Sequence, residues 1–229
     1  MKVVFHPWAF LEPTTSVGVP EDRGCFLRRK STRGRLLDAA YRIILEDSLS
    51  HLSIERVSAR AGLSRRTFFL HFSSKDQLLA EVLEHVRPAF AADYAAWSNA
   101  LAVNLAAEQR VEGLLRRLVA AITDPGWKGC CFLRISAEFG DRPGHPVHAV
   151  VAESHRDLEH WLESELTRGG FADATGLARQ LSLLVSGLLV MQLVHRNAVY
   201  GEAALSMAHD MLVSGQRTRH REDRHMAEG

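Results

Sequence analysis

The stretch from Ser53 to Asp76, SIERVSARAGLSRRTFFLHFSSKD, constrains the fold more than any other part of this chain. Ser53 is a natural N-cap, Ile54, Val57 and Ala61 share one helical face, and Gly62 is placed to end that helix in a tight turn. Ser64 caps a second helix in which Phe68 and Phe72, four apart, point the same way. Ser74 opens a third, with Gln77 three residues on completing a capping box. Two short helices joined by a glycine turn, the second bearing Arg65 and Arg66, are the arrangement by which a helix is presented to a DNA groove.

Around this stretch the sequence predicts helices throughout. Leu36, Ala40, Ile43 and Ile44 recur at helical spacing over about Thr32 to Asp47. After Ser74 the apolar positions Leu78, Leu79, Val82, Leu83 and Val86 continue to Pro88, which ends or kinks the helix. Further helices are expected at about 89–104, 108–123, 131–139, 146–168, 173–197 and 201–214, separated by breakers such as DPGWKG, GDRPGH and RGG. The fold class is therefore all-α. Residues 1–30 read as a flexible arm, 31–80 as a helix-turn-helix domain, 81–214 as a larger helical domain, and 215–229 as a disordered charged tail.

Charge is divided along the chain. Residues 28–80 hold eleven Lys/Arg against five Asp/Glu, a net of +6, while the whole chain is +1, so the remainder carries −5. A basic head on an acidic body suits a module that binds a polyanion. The run Arg28, Arg29, Lys30 and Arg33 reads either as a phosphate-reaching arm or as a solvated linker. Three cysteines, Cys25, Cys130 and Cys131, are too few for a disulfide framework and suit the cytoplasm. Pro7 and Pro13 interrupt the short N-terminal apolar run, against a signal peptide. The apolar stretch from Leu177 to Val194 contains Arg179, Gln180, Ser182, Ser186 and Gln192, against a membrane span.

Each outward residue of the second helix has a task that its chemistry suits. Arg65 or Arg66 can donate two hydrogen bonds to guanine O6 and N7. Ser64, Thr67, His71 and Lys75 suit phosphate oxygens, helped by N–H groups at helix starts, and Ser53 is a further DNA-binding candidate. Phe69 and Leu70 complete the exposed face.

Read from Ser53 to Leu78, SIERVSARAGLSRRTFFLHFSSKDQL resembles the signature of the TetR family of bacterial transcriptional regulators, TxxxIAxxAGVSxGTLYxHFxSKExL. The likeness covers roughly residues 35–83. Arg66 stands where the family has glycine, and Phe69 where it has tyrosine. The resemblance implies that His71 and Lys75 touch the DNA backbone and that Phe69 keeps van der Waals contact without a phosphate bond. It also implies a homodimer on a near-palindromic double-stranded operator, C-terminal helices that enclose a small-molecule inducer, and repression as the outcome. Pairing is expected through the helices at about 146–168 and 173–197, since LSLLVSGLLVMQLV is apolar nearly all round.

The stretch WKGCCFLRISAE, Trp127 to Glu138, is similar to the GCxxxNxxxE pattern of one broad TetR subgroup, with Arg134 in place of asparagine. Some of that subgroup respond to electrophiles or oxidants through a cysteine. Cys130 near a helix start, with Lys128 close by, suits a stabilised thiolate; Cys130 and Cys131 equally suit small core fillers. Trp127, Phe132, Phe139, Trp161, Met191 and His195 are candidates to line an apolar ligand cavity. The pairs His145/His148 and His155/His160, with His195, form no four-ligand set, so neither metal nor cofactor is expected. Two other classes fit the sequence less well: a cysteine-dependent enzyme, for which no local base motif exists, and a DNA-independent interaction module, which has no use for Arg65, Arg66 and Lys75.

Overall fold

A computed structural model describes residues 31–47, 49–100 and 105–227, with side chains described up to Ala92 and from Leu105 to Gly215. The basic run at residues 28–30 and the expected arm lie outside the described residues. All regular structure among the described residues is helical: α1 (Thr32–Glu46), a 3-10 turn (Leu49–His51), α2 (Ile54–Ala61), α3 (Arg65–Phe69), α4 (Lys75–Ala100), α5 (Ala107–Thr123), α6 (Cys131–Glu138), α7 (Pro146–Arg168), α8 (Ala174–His195) and α9 (Val199–Ala227).

Contacts divide the chain into two compact units. The first holds residues 31–88 together with Cys131–Val151, and the second holds Ala89–Cys130 and Ala152 onward. In the first unit Leu36, Ala40, Ile43 and Ile44 of α1 are fully buried, as their spacing predicts, with Val57, Phe68, Phe72, Leu78, Leu79, Val82 and Leu83. These large side chains come from four helices, so none of the short ones has to be stable alone.

The second unit has its own core. Val111, Leu114 and Leu118 of α5 meet Leu158, Leu162 and Leu166 of α7, Leu181, Val185 and Leu188 of α8, and Ala208 and Leu212 of α9. Gly201 lets α9 lie close on α5, because a Cβ there would sit 2.6 Å from a methyl of Val119. One ion pair is buried within this apolar core. Glu165 accepts from Arg110 Nε at 2.7 Å and from Nη2 at 3.1 Å, and Arg168 adds a third bond at 2.9 Å. The Glu165 side chain is 1% exposed and that of Arg110 9%. By length and composition α8 is apolar enough to cross a membrane. Its Leu181, Val185 and Leu188 stripe is instead packed into this core.

Three expectations are narrowed or corrected. Of the two outcomes expected at Pro88, an end or a kink, the end is excluded, because α4 continues through Pro88 to Ala100. Proline removes the bond from its own nitrogen and crowds the carbonyl four residues back, and the burial of Val86 and Phe90 on either side offsets that cost. Helix α9 runs on to Ala227, through the charged segment expected to be disordered. No proline or glycine interrupts residues 216–228, and Gln, Arg, Glu, Met and Ala all favour helix. At the start of α4, Ser74 Oγ accepts from the Gln77 N–H as expected, at 3.1 Å, but the return bond is shifted by one residue. Gln77 Oε1 accepts from the backbone N–H and hydroxyl of Ser73, at 2.7 and 2.8 Å.

Candidate nucleic-acid interface

The turn that aims α3 is built from backbone bonds. Gly62 has φ 64° and ψ 40°, a left-handed conformation that suits glycine. Its N–H donates to the Ala59 carbonyl at 3.0 Å and the Leu63 N–H to the Ser58 carbonyl at 2.9 Å, the paired bonds of a Schellman ending. Ser58 is buried four residues before the glycine, where a larger side chain would push the two helices apart. From α1, Arg35 Nη2 donates to the Ala61 carbonyl at 2.6 Å. A cation at the negative end of α2 is favourable, and it fixes the turn against α1. No sequence signal linked residues 26 positions apart.

Helix α3 is only five residues long, so its ends carry much of its order. Ser64 Oγ accepts from the Thr67 N–H at 3.0 Å and shares a 2.8 Å hydrogen bond with the Thr67 hydroxyl. Two hydroxyls share that one bond, so one O–H remains able to donate outward. The chain then tightens, with the His71 and Phe72 N–H groups both reaching the Phe68 carbonyl. Phe68 and Phe72 are fully buried, with ring centroids 5.4 Å apart. They are the inner anchors their spacing predicts.

The opposite face is open. Ser64, Arg65, Arg66, Phe69 and Leu70 are exposed, and Thr67, His71, Lys75 and Ser53 are half-buried. Leu70 is 75% and Phe69 46% exposed, so both apolar side chains lie open beside the arginines. Lys75 is the first residue of α4. Ser53 Oγ accepts from the Arg56 N–H at 3.2 Å. Arg66 makes no ion pair with any described residue. Arg65 does: its Nη1 lies 2.8 Å from Glu55 Oε1, and its guanidinium sits 5.6 Å from the Phe69 ring centroid. Both partners of that pair are about 60% exposed (63% and 60%), so water screens the bond and a polyanion can compete for it. Glu55 was not singled out in the sequence.

The positive charge of the head is not all available for DNA. Arg56 pairs with Asp47 at 2.5 Å, Arg60 with Glu46 at 2.6 Å, and Arg33 with Glu81. These arginines tie helices to one another. Asp47 and Glu46 are already subtracted in the net charge of residues 28–80, so these pairs show which cations are engaged within the head; among the described residues Arg65, Arg66 and Lys75 are the cations at α3 and the start of α4.

The candidates in the body are scattered. Cys131 is buried at the first position of α6 and Cys130 is half-buried just before it. Phe132 and Phe139 are buried in the first unit, whereas Trp127 belongs to the core of the second, with Trp161 packed against it. Met191 and His195 lie off the buried stripe of α8 and are exposed, His195 stacking on Tyr200 with centroids 4.9 Å apart. The set is thus divided between the two units. An open groove of about 570 Å³ in the first unit is lined by Asp76, Gln77, Glu81, Glu84, His145 and Val150. Another of about 480 Å³ in the second is lined by Phe171, Asp173, Leu177, Asp210, Met211 and Gly215. Among the described residues, the large apolar side chains exposed in the second unit are Leu183, Val190, Met191 and Val194 on α8 with Val199 and Met207 on α9. On α7 the branched apolar residues Val147, Val150, Val151, Leu158, Leu162 and Leu166 are buried.

A capped helix-turn-helix with an open, arginine-bearing second helix, joined to a separate helical unit, defines a DNA-binding regulator of transcription. Residues 36–82 match the model of the family described as bacterial regulatory proteins, tetR family. The structure is similar to that of a TetR-family transcriptional regulator from Streptomyces coelicolor, with a TM-score of 0.68 and 29% identity, covering 80% of this chain and 95% of that one. It also shares its fold with the reduced form of Escherichia coli NemR, with a TM-score of 0.67 and 18% identity, over 77% of this chain and 94% of that one. The Escherichia coli HTH-type transcriptional regulator YjdC is 21% identical over 182 residues, 79% of this chain and 93% of that protein. Residues 36–82 thus carry a TetR-family DNA-binding domain, and the chain shares the fold of TetR-family transcriptional regulators.

Proposed function

We propose that this protein is a cytoplasmic homodimeric repressor that binds a near-palindromic operator and releases it when a small-molecule inducer occupies the C-terminal helical domain. The domain division read from the sequence, a DNA-binding domain over 31–80 and an effector and dimerisation domain over 81–214, is part of this proposal. The observation that carries it is the exposed face of α3, where Arg65, Arg66, Phe69 and Leu70 project from a helix anchored by Phe68 and Phe72. Arg65 and Arg66 read base edges in the major groove, and Arg65 exchanges Glu55 for DNA as it docks. Ser53, Ser64, Thr67, His71 and Lys75 hold phosphates and set the register. Phe69 and Leu70 offer apolar contact to a thymine methyl or sugar.

Dimerisation is supported by the uncovered apolar face of α8, where Leu183 and Val194 are more than two-thirds exposed (69% and 67%). A Cβ built on Gly187 meets nothing within 4 Å, leaving room for a second backbone. The exposed residues favour α8 with α9 over the pairing of α7 with α8 read from the sequence. For the inducer, the half-buried Cys130 keeps an electrophile or oxidant among the chemistries that fit.

The test is binding to duplexes selected by the wild-type protein from a random pool, across a salt series. A reader of several phosphates loses affinity steeply as salt rises. Arg65→Ala or Arg66→Ala is expected to cost about 1–3 kcal/mol on the operator and to relax sequence preference. Lys75→Ala weakens all duplexes alike. Unchanged preference in both arginine variants would move base reading elsewhere.

A further inference from the structure

Residues 131–151 lie far along the chain from the residues that match the family model, yet they cluster with residues 31–88 in one compact unit. Two arginines of this segment reach the ends of helices in the head. Arg134 of α6 donates from Nη1 to the Ile44 carbonyl at 3.0 Å. Ile44 is in the last turn of α1, where carbonyls have no donor within the helix, so the guanidinium answers an orphan acceptor at the negative helix end. Arg142, in the loop between α6 and α7, places Nη1 2.7 Å from Asp76 Oδ2. Asp76 is the second residue of α4, beside Lys75.

The loop that carries Arg142 is built to hold it. Its guanidinium lies 4.5 Å from the ring centroid of Phe139, which is buried. The His145 ring stacks on Phe139 with centroids 3.9 Å apart and planes 9° from parallel. The Arg142 N–H donates to the Phe139 carbonyl at 2.9 Å, and the His145 N–H to the Arg142 carbonyl at 3.1 Å. His145 Nδ1 accepts from the Val147 N–H at 3.3 Å, which leaves Nε2 directed 3.8 Å from the same Asp76 oxygen. A surface pair of this exposure, 49% and 40%, adds little to global stability. Its effect lies in where it holds the start of α4.

We propose that Arg142 is a positioning residue for DNA binding: through Asp76 it fixes the first turn of α4 and so the placement of Lys75 against a phosphate, while Arg134 secures the end of α1. This rests on the DNA-reading proposal above. Charge alone makes a contrary prediction, which gives the test its force. Neutralising Arg142 removes a cation and neutralising Asp76 removes an anion, so simple electrostatics weakens DNA binding in the first case and tightens it in the second. Positioning weakens it in both.

The experiment uses the full chain with Arg142→Gln, Asp76→Asn and the swap Arg142→Asp with Asp76→Arg, each with and without Lys75→Ala. Affinity is measured on the selected operator and on an unrelated duplex, and amide exchange is followed at residues 73–79 without DNA. Both neutral variants are expected to weaken both duplexes by the same factor, about three- to tenfold, with thermal midpoints unmoved and faster exchange at 73–79. The swap restores affinity, and in the Lys75→Ala background the neutral variants cost nothing further. Tighter or unchanged binding by Asp76→Asn, or unaltered exchange at 73–79 in both variants, overturns the proposal. A wild type that binds no duplex in a salt-dependent way overturns the DNA reading itself, and is distinct from variants that match a binding-competent wild type.

Discussion

Replacing Gly62 by alanine tests whether the turn before α3 needs the backbone freedom of glycine. At φ 64° and ψ 40° an L-residue brings its Cβ against the following carbonyl, at a cost of about 1–2 kcal/mol. The new methyl would also lie 3.2 Å from Arg35 Nη2, which bonds the Ala61 carbonyl at 2.6 Å. That nitrogen must retreat, weakening a hydrogen bond that contributes about 0.5–1.5 kcal/mol net. Gly62→Ala is therefore expected to destabilise the protein by about 2–3 kcal/mol. Gly62→Asn, whose short polar side chain tolerates this conformation, should lose less. Urea denaturation followed by helical circular dichroism measures both, and operator affinity should fall in the same order because the turn aims α3. An alanine variant within about 0.5 kcal/mol of wild type, or one equal to the asparagine variant, would refute the reasoning.

Two further outcomes follow from the second unit and its border. Leu183→Glu with Val194→Glu places charge on side chains already exposed in one chain, so folding should persist while light scattering shows a halved mass and operator affinity falls; an unchanged mass would exclude this face from dimerisation. Mild peroxide is expected to weaken operator binding in wild type and to spare Cys130→Ser, and equal loss in both removes Cys130 from the sensing proposal.

The head was legible because its grammar is local. Ser53, Gly62, Ser64 and Ser74 act within four residues of themselves, and the burial of Phe68 and Phe72 follows from their spacing. The predicted bounds of α7 match the structure because Pro146 and the glycines after Arg168 punctuate it unambiguously. Local grammar left open what tertiary packing decides, as in α4 beyond Pro88. It was silent on partners distant in sequence: Arg35 with the Ala61 carbonyl, Arg134 with Ile44 and Arg142 with Asp76 are 26, 90 and 66 positions apart. The burial of the candidates in the body was less legible for a related reason. Helical periodicity shows that α8 is apolar on several faces, but not which face the neighbouring helices take, and Met191 and His195 fell on the outer side.

The salt link between Arg110 and Glu165 has a bearing on how such a sequence can drift. Losing Glu165 alone takes the carboxylate from the buried Arg110, a penalty of about 3–5 kcal/mol, and losing Arg110 alone leaves Glu165 the bond from Arg168, while exchanging the pair for well-packed apolar side chains can be neutral. Total stability is only about 5–15 kcal/mol, so losing Glu165 first crosses a valley that few lineages survive. Descendants that keep Arg110 should keep Glu165, and through that bond α5 and α7 inherit their alignment together.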